Sequence, residues 1–139
     1  MNNEEIAEFF KKDRFASLIG AKIEQITPDE IICTLEIEDH HLNAGDKVQG
    51  GVTFTLADFA FAVACNYDGL AKDRNEITVG HSSAITFFKP PSGKKLIAKS
   101  TCIQKGRTLS VYRMTVYDDN GLTIAEMTGN AYTVSLEKK

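Results

Sequence analysis

The sequence predicts an α+β fold in which an antiparallel sheet wraps a long buried helix, with a short helix at the N-terminus. Residues 52–65 are apolar or small except for two threonines and one aspartate, and a helix that is apolar nearly all the way round is a buried one. From residue 77 onward, strand-like segments follow one another with only short turns between them. This arrangement favours antiparallel pairing, because parallel strands need crossover connections.

Composition narrows the class of protein. The 139 residues, of which 42% are apolar, suit one domain over residues 1–139. Sixteen basic residues against nineteen acidic ones argue against a nucleic-acid partner, which would require a basic surface. No apolar run reaches the length of a membrane span, and the first residues lack the pattern of a secretion signal. We therefore expect a cytoplasmic protein without a membrane partner.

The N-terminal third is predicted to contain two short helices and two strands. Asn2 or Asn3 can cap the first helix, and a second short helical turn is predicted over residues 15–19. The strands are predicted over residues 21–26 and 31–37, joined at a T-P-D-E turn.

The rest of the chain is predicted to form one helix and four strands. The helix is predicted over residues 50–67, and the strands over residues 77–89, 96–104, 109–117 and 122–134. The tripeptide K-G-R and the tetrapeptide D-D-N-G separate the last three strands and are typical of hairpin turns.

Asp58 is the only ionisable residue in the apolar stretch. An unpaired carboxylate there costs several kcal/mol or has a raised pKa. A helix-dipole role is disfavoured because Asp58 lies about two turns past Gly51, beyond the reach of the dipole. A cleft or a subunit seam where the carboxylate faces a substrate explains its presence better. Gly50 and Gly51 begin the helix, where backbone N–H groups are open to a polarised carbonyl. An oxyanion donor and a carboxylate on one element suit an acyl-transfer hydrolase.

The stretch HLNAGDKVQGGVTFTLADFAFAVACNYDG resembles the signature of the hotdog-fold acyl-CoA thioesterases, in the phenylacetic-acid-degradation (PaaI-like) branch. That signature contains H-x-N, then Gly-Gly, then a helix with L-A-D. The later segments I-T-F-F-K-P, K-G-R and D-x-x-G also match, so the resemblance covers almost the whole chain. It implies the hotdog fold, a sheet wrapped round a central helix, which agrees with the fold class predicted from the residues.

The resemblance also implies roles for residues. Asp58 would be the catalytic carboxylate, as nucleophile or as general base, and both roles stay open. The Gly50 N–H would polarise the thioester carbonyl with help from the Gln49 side chain, and Asn43 would orient the water or the acyl group. In such enzymes the site lies at a dimer seam, so we expect an obligatory homodimer and a homotetramer. Many members have His where this chain has Gln49, and Gln can donate a hydrogen bond but cannot titrate. Many also have Gly where it has Asp46, which leaves the loop conformation open.

Four further residues are expected to contact the substrate. Gly51 is one candidate, and Ser83 is slightly favoured over Ser82 as the strand serine near the catalytic helix. Arg107 and, less strongly, Lys89 are expected to bind the phosphates of coenzyme A.

No metal or redox cofactor is expected, and coenzyme A enters only as part of the substrate. The histidines do not show the convergence of a metal site, and His41 is expected to be a loop residue that orders the active site. The three cysteines form no C-x-x-C pair and are expected to be core residues, and three phenylalanines of the helix are also expected in the core. These residues are His40, His41 and His81; Cys33, Cys65 and Cys102; and Phe54, Phe59 and Phe61.

Two other functions fit the same fold. One is a non-catalytic acyl-CoA-binding protein, against which the combination of Asp58, Asn43 and Gly50 counts. The other is a hydratase or dehydratase acting on an acyl thioester, which ranks lower because Gln49 replaces the His that such enzymes use. Acyl preference stays open between aromatic and short- or medium-chain groups, because pocket shape decides it and no motif encodes that shape.

Overall fold

The structure is a computed structural model that describes residues 1–136, so the last three residues of the predicted domain lie outside it. It contains three α-helices, a short 3₁₀ turn and six strands. The helices are α1 (Asn3–Phe10), α2 (Arg14–Leu18) and α3 (Gly50–Ala71), and the 3₁₀ turn is Asp39–His41. The strands are β1 (Lys22–Ile26), β2 (Ile31–Glu36), β3 (Glu76–Phe87), β4 (Lys95–Lys105), β5 (Leu109–Asp118) and β6 (Thr123–Ser135).

The six strands form one antiparallel sheet in the order β1-β2-β4-β5-β6-β3, and the sheet wraps α3. The Phe61 ring of α3 packs so closely on the sheet that a Cβ atom on Gly80 or on Gly129 would lie 2.8 or 2.6 Å from it. Only glycine fits beneath the ring at these two positions. The predicted architecture, a sheet around a long buried helix with a short N-terminal helix, is confirmed.

The two N-terminal helices are capped by side chains and pack on α3. The Asn2 Oδ1 atom accepts from the Glu5 N–H at 2.8 Å, and Glu5 accepts in return from the Asn2 N–H, which makes a capping box. The Phe10 ring meets the Phe59 ring of α3 edge-to-face at a centroid distance of 6.1 Å. Of the two predicted cap residues, Asn2 is the one that caps α1, and the predicted core position of Phe59 is confirmed.

One element prediction differs from the structure, and the strand order adds a feature that was not predicted. Helix α3 continues to Ala71, past the predicted end at residue 67, because Asn66 ties its last turns to β3. The Asn66 side chain accepts from the Thr78 N–H and donates to the Thr78 carbonyl, both at 2.9 Å. Strand β3 does not lie beside β4, which follows it in the chain, but beside β6 at the far edge of the sheet. The segment over residues 88–94 is thus a crossing, not a hairpin turn.

Asp118 holds that crossing in place. It is 1% exposed and ends β5. One carboxylate oxygen accepts from the Ser92 N–H, the Ser92 hydroxyl and the Gly93 N–H, and the other accepts from the N–H groups of Asn120 and Leu122. These hydrogen bonds outweigh desolvation and lower the pKa of Asp118 to about 2.

Strand β3 forms one edge of the sheet and pairs on one side only, with β6. It is twelve residues long, and every side chain along it is exposed or only half-buried. The β1 strand at the opposite edge is five residues long. A long exposed edge presents a row of N–H and C=O groups that can pair with another strand.

The cysteine predictions hold in part. Cys33 and Cys65 are buried in the core, as expected. Cys102 is exposed, which corrects the expectation that it is a core residue. It lies next to an irregularity in the pairing of β4 with β5, in the second half of β4, where the side chains are exposed.

Candidate active site

The two glycines that begin α3 differ in the state of their N–H groups. The Gln49 Oε1 atom accepts from the Gly51 N–H at 2.7 Å and so caps the helix. The Gly50 N–H has no acceptor among residues 1–136. Only the Gly50 N–H is thus open to a substrate oxygen, and any contact between Gly51 and substrate would use other atoms. The cap leaves the Gln49 side-chain amide group available as a donor.

His41 connects the preceding loop to the start of α3. Its ring is 1% exposed, with Nδ1 accepting from the Glu38 N–H at 2.9 Å and Nε2 within 2.8 Å of the Ile19 carbonyl. Because Nδ1 accepts, the ring proton must lie on Nε2 and be donated to Ile19. The His41 carbonyl accepts from the Gln49 N–H at 2.9 Å. His41 thus orders the loop, as expected, and both ring nitrogens are occupied.

Asn43 organises the loop between His41 and α3. Its Oδ1 atom accepts from the N–H groups of Gly45 and Lys47, at 2.9 and 3.2 Å, which leaves the Nδ2 group as a donor. Asp46 has φ 59°, in the left-handed region that glycine adopts without strain and that Asp tolerates better than most residues. The departure from Gly at this position therefore keeps a glycine-like loop conformation.

Asp58 lies on α3 and reaches solvent on one side in the single chain. The residues packed around it partly desolvate the carboxyl group, and this burial raises the pKa of Asp58 above its ordinary value. The negative charge of Asp13, at the start of α2, raises that pKa further. The shift favours a carboxyl group that can take up a proton.

Gly50 and Asp58 are too far apart on one helix to act on the same bond. Eight residues separate them, which corresponds to about 12 Å along the axis of an α-helix. Asn43, Gln49 and Gly50 are near one another in the chain at the start of α3, whereas Asp58 is two turns away. One chain therefore supplies two parts of the predicted site but does not bring them together.

The open Gly50 N–H lies beside an apolar cleft of about 300 Å³. Phe87 and Phe88, each about half exposed, line it together with Lys89. A Cβ atom at Gly50 would lie 3.3 Å from the Phe87 ring, so glycine permits this close approach. Arg107 lies between β4 and β5 and does not line the cleft. Sequence reasoning missed both phenylalanines, although the segment I-T-F-F-K-P pointed to this part of the chain.

The two strand serines face opposite sides of the sheet. Ser83 is directly opposite Gly129, which lies against Phe61, so Ser83 is on the face toward α3. Ser82 is opposite Asn130, whose side chain donates to the Ser82 hydroxyl at 3.0 Å. Of the pair, Ser83 has the orientation that the predicted role requires.

Two structural features of other protein classes are absent from residues 1–136. No group of three His, Cys, Asp or Glu side chains in this part of the chain is arranged to hold a metal ion. No helix within it has both the length and the apolar character needed to cross a membrane.

Comparison with known families decides the class. The model of the Thioesterase superfamily matches residues 47–125, more than half of the chain. The chain belongs to the thioesterase superfamily. The prediction of a thioester hydrolase is thereby confirmed at the level of the family.

Individual relatives of this thioesterase agree with the family assignment. It is 28% identical over 126 residues to the acyl-coenzyme A thioesterase PaaI of Escherichia coli, a match that covers 90% of this chain and 86% of that protein. It is also 28% identical over 110 residues to human acyl-coenzyme A thioesterase 13, covering 77% and 75%. The solved structure of E. coli PaaI superimposes with a TM-score of 0.82 at 24% identity, covering 92% of this thioesterase and 89% of PaaI. This likeness confirms the hotdog fold.

Proposed function

We propose that this thioesterase hydrolyses acyl-CoA to a free acid and coenzyme A, with an aromatic or a short- to medium-chain acyl group. The observation that carries the proposal is the pairing of an unoccupied Gly50 N–H with a carboxyl group of raised pKa, Asp58, on the same helix. Relatives named acyl-coenzyme A thioesterases support coenzyme A as the thiol of the substrate.

The active site is completed by a second copy of the chain. The separation of about 12 Å between Gly50 and Asp58 supports a site in which each carboxylate acts with the Gly50 and Asn43 of a neighbour. The long unpaired edge of β3 supports pairing of two copies about a two-fold axis. We propose an obligatory homodimer, assembled further into a homotetramer.

The chemistry uses few groups. Water attacks the thioester carbonyl carbon, Asp58 removes the proton from that water, and the negative charge on the carbonyl oxygen is stabilised by the Gly50 N–H. In the alternative, Asp58 itself attacks and forms a mixed anhydride, which water then hydrolyses. In both routes the C–S bond breaks and coenzyme A leaves as the thiolate. The Gln49 amide group and the Asn43 Nδ2 group supply further donors, and Ser83 holds the water.

Substrate binding would use the cleft beside Gly50. Its apolar lining by Phe87 and Phe88 suits the uncharged part of an acyl-CoA, and Lys89 supplies a cation for a phosphate group. We retain Arg107 as a second phosphate contact and Gly51 as a backbone contact. No metal or redox cofactor takes part in the proposed reaction. A cytoplasmic location fits the three free cysteines.

The test is coenzyme A release from a panel of aromatic and aliphatic acyl-CoAs by the wild type and by Asp58→Asn. We expect wild-type turnover that falls by about a hundredfold or more in Asp58→Asn, because a positioned base contributes roughly 10²–10⁴ in rate. The matched control is Asp68→Asn, on the same helix, whose carboxylate pairs with Arg74 at 2.7 Å. It should keep near wild-type activity.

Other outcomes would favour a different function or refute the proposed mechanism. Binding of acyl-CoA without release across the panel would make the protein a binding module. Hydration of an enoyl-CoA without hydrolysis would favour the hydratase hypothesis. Full activity in Asp58→Asn, with the oligomer intact by light scattering, would leave the fold in place and refute the mechanism.

A further inference from the structure

A cavity of about 330 Å³ lies beneath the second half of α3. Its walls come from the last turns of α3, from β2, β4 and β5, and from the turn between β1 and β2. Ala64, on the helical wall, is fourteen residues beyond Gly50, which places it about 21 Å further along the helix axis. None of the four predicted catalytic residues lines this cavity, so it is separate from the site proposed above.

Ser100 gives the cavity a polar group that lacks a partner. The residue is 1% exposed, and its hydroxyl is the one buried side-chain oxygen or nitrogen of residues 1–136 without a hydrogen bond. It lines the cavity from β4. A buried hydroxyl with no partner is costly, and natural proteins retain few of them. A ligand that reaches Ser100 would supply the missing hydrogen bond.

The remaining walls favour a compact apolar body. The aromatic rings of Tyr67 and Tyr112 line the cavity together with the aliphatic side chains of Ile31 and Ala64. A dry cavity of about 150 Å³ lined by apolar side chains is large enough to hold benzene. This cavity therefore has room for a single ring with a small substituent, and its aromatic walls suit such a ring.

Charges of both signs surround the cavity. Asp29, Glu30 and Asp68 exceed Arg74 and Lys105 by one negative charge, and the Arg74 guanidinium is already paired with the Asp68 carboxylate at 2.7 Å. A negatively charged ligand therefore meets no net attraction. This arrangement differs from a phosphate-binding site, which needs an excess of cations, and it favours a neutral ligand over an anionic one.

We propose that this cavity is a second ligand site, which binds a neutral molecule made of a single ring and one hydroxyl group. The hydroxyl bonds to the Ser100 Oγ atom, and the ring packs against Tyr67 and Tyr112. The site belongs to each subunit separately. It does not depend on the proposed thioesterase reaction, so a failure of one leaves the other standing.

The test compares p-cresol with p-xylene, which has the same shape but a methyl group in place of the hydroxyl. Binding is followed by NMR through the methyl signals of Ala64 and Ile31. We expect saturable shifts at both methyls and an affinity about fivefold higher for p-cresol, as one net hydrogen bond provides. Ser100→Ala should remove this preference and leave p-xylene binding unchanged.

Two variants control for indirect effects. Ser17→Ala removes a hydroxyl from α2 that bonds to the Lys11 carbonyl, far in the chain from the cavity, and should bind both probes as the wild type does. Ala64→Leu adds volume at the helical wall of the cavity, keeps the Ser100 hydroxyl in place and should abolish binding of both probes. The proposal is overturned if neither probe gives saturable shifts, or if Ser100→Ala keeps the preference for p-cresol. It is also overturned if the shifts appear at the Gly50 amide instead.

Discussion

Asp58, on an exposed position of α3, and Asp118, buried at the end of β5, are two carboxylates whose pKa values move in opposite directions. Burial raises the pKa of Asp58, and Asp13 adds to the effect. Burial acts on Asp118 in the same sense, but hydrogen bonds from Ser92, Gly93 and Leu122 lower its pKa to about 2. The number of donors around each carboxylate therefore decides the direction of the shift.

The difference in hydrogen-bond donors distinguishes a carboxylate that is available for catalysis from one that stabilises the fold. Asp118 accepts five hydrogen bonds from its own chain and has no capacity left for a substrate. Asp58 accepts none among residues 1–136 and lies on a surface that a second subunit can cover. A carboxylate whose needs are not met within its own chain is the better candidate for catalysis.

The largest expected effect comes from Asp118→Ala. The change leaves buried donors around Ser92, Gly93 and Leu122 without an acceptor, so we expect the free energy of unfolding to fall by about 3 kcal/mol. Asp58→Asn should leave the free energy of unfolding unchanged or raise it, because partial burial destabilises the ionised carboxylate of the wild type and the Asn side chain carries no charge. Urea unfolding at one fixed protein concentration measures both. Equal losses in the two variants would contradict the comparison.

Activity provides the next test, because Asp58 should cooperate with another chain. Asp58→Asn and Gly50→Val proteins are each expected to be inactive. After subunit exchange, half of the dimers are mixed, and each mixed dimer has one intact site out of two, so about a quarter of wild-type activity should return.

The control for this experiment places both changes in one chain. A mixture of Asp58→Asn with the doubly substituted chain contains no intact site and should stay inactive. Native mass spectrometry verifies that the subunits have exchanged. If mixed dimers form and no activity returns, Asp58 does not act with the Gly50 of a neighbour.

The opposite shifts also predict opposite pH dependence. Because the folded pKa of Asp118, about 2, lies below its ordinary value of 3.8, its contribution to stability is complete above pH 4 and is lost as the pH falls toward 2. The pKa of Asp58 is raised in the folded protein, so its contribution to stability has the opposite pH dependence. That contribution is complete below pH 3.8 and is lost as the pH rises through the pKa of the folded state. The measurement is the free energy of unfolding between pH 2 and 7, for the wild type, Asp118→Asn and Asp58→Asn. Parallel curves for all three proteins would refute it.

The sequence predicts one carboxylate of this pair much better than the other. Asp58 stands out because it interrupts an apolar helix, and the helix and sheet around it follow from local periodicity. Asp118 begins the tetrapeptide D-D-N-G, which has the composition of an ordinary hairpin turn. Its donors at Ser92 and Gly93 are about 25 residues away in sequence, and no local pattern encodes such a contact.

The strand order and the cavity could not be predicted from the sequence, and the reason is the same for both. Pairing of β3 with β6 depends on the crossing that Asp118 holds, and no local pattern in the sequence encodes that strand order. The cavity at Ser100 arises from three strands and a helix that meet only in the folded chain. Local patterns predicted the elements, whereas long-range contacts set their order and the space between them.

The smallest expected effect comes from a buried polar group that makes no hydrogen bond within residues 1–136. Ser100 lacks the partners that Asp118 has, so Ser100→Ala should raise the free energy of unfolding by about 1 kcal/mol, as removal of an unsatisfied buried hydroxyl does. Thr34→Val is the comparison, since that buried hydroxyl donates to the Glu24 carboxylate at 2.8 Å, and it should lower the free energy of unfolding. Urea unfolding of both variants measures the difference. A loss of stability in Ser100→Ala would mean that this hydroxyl is satisfied within the folded protein, and the contrast with Asp118 would then fail.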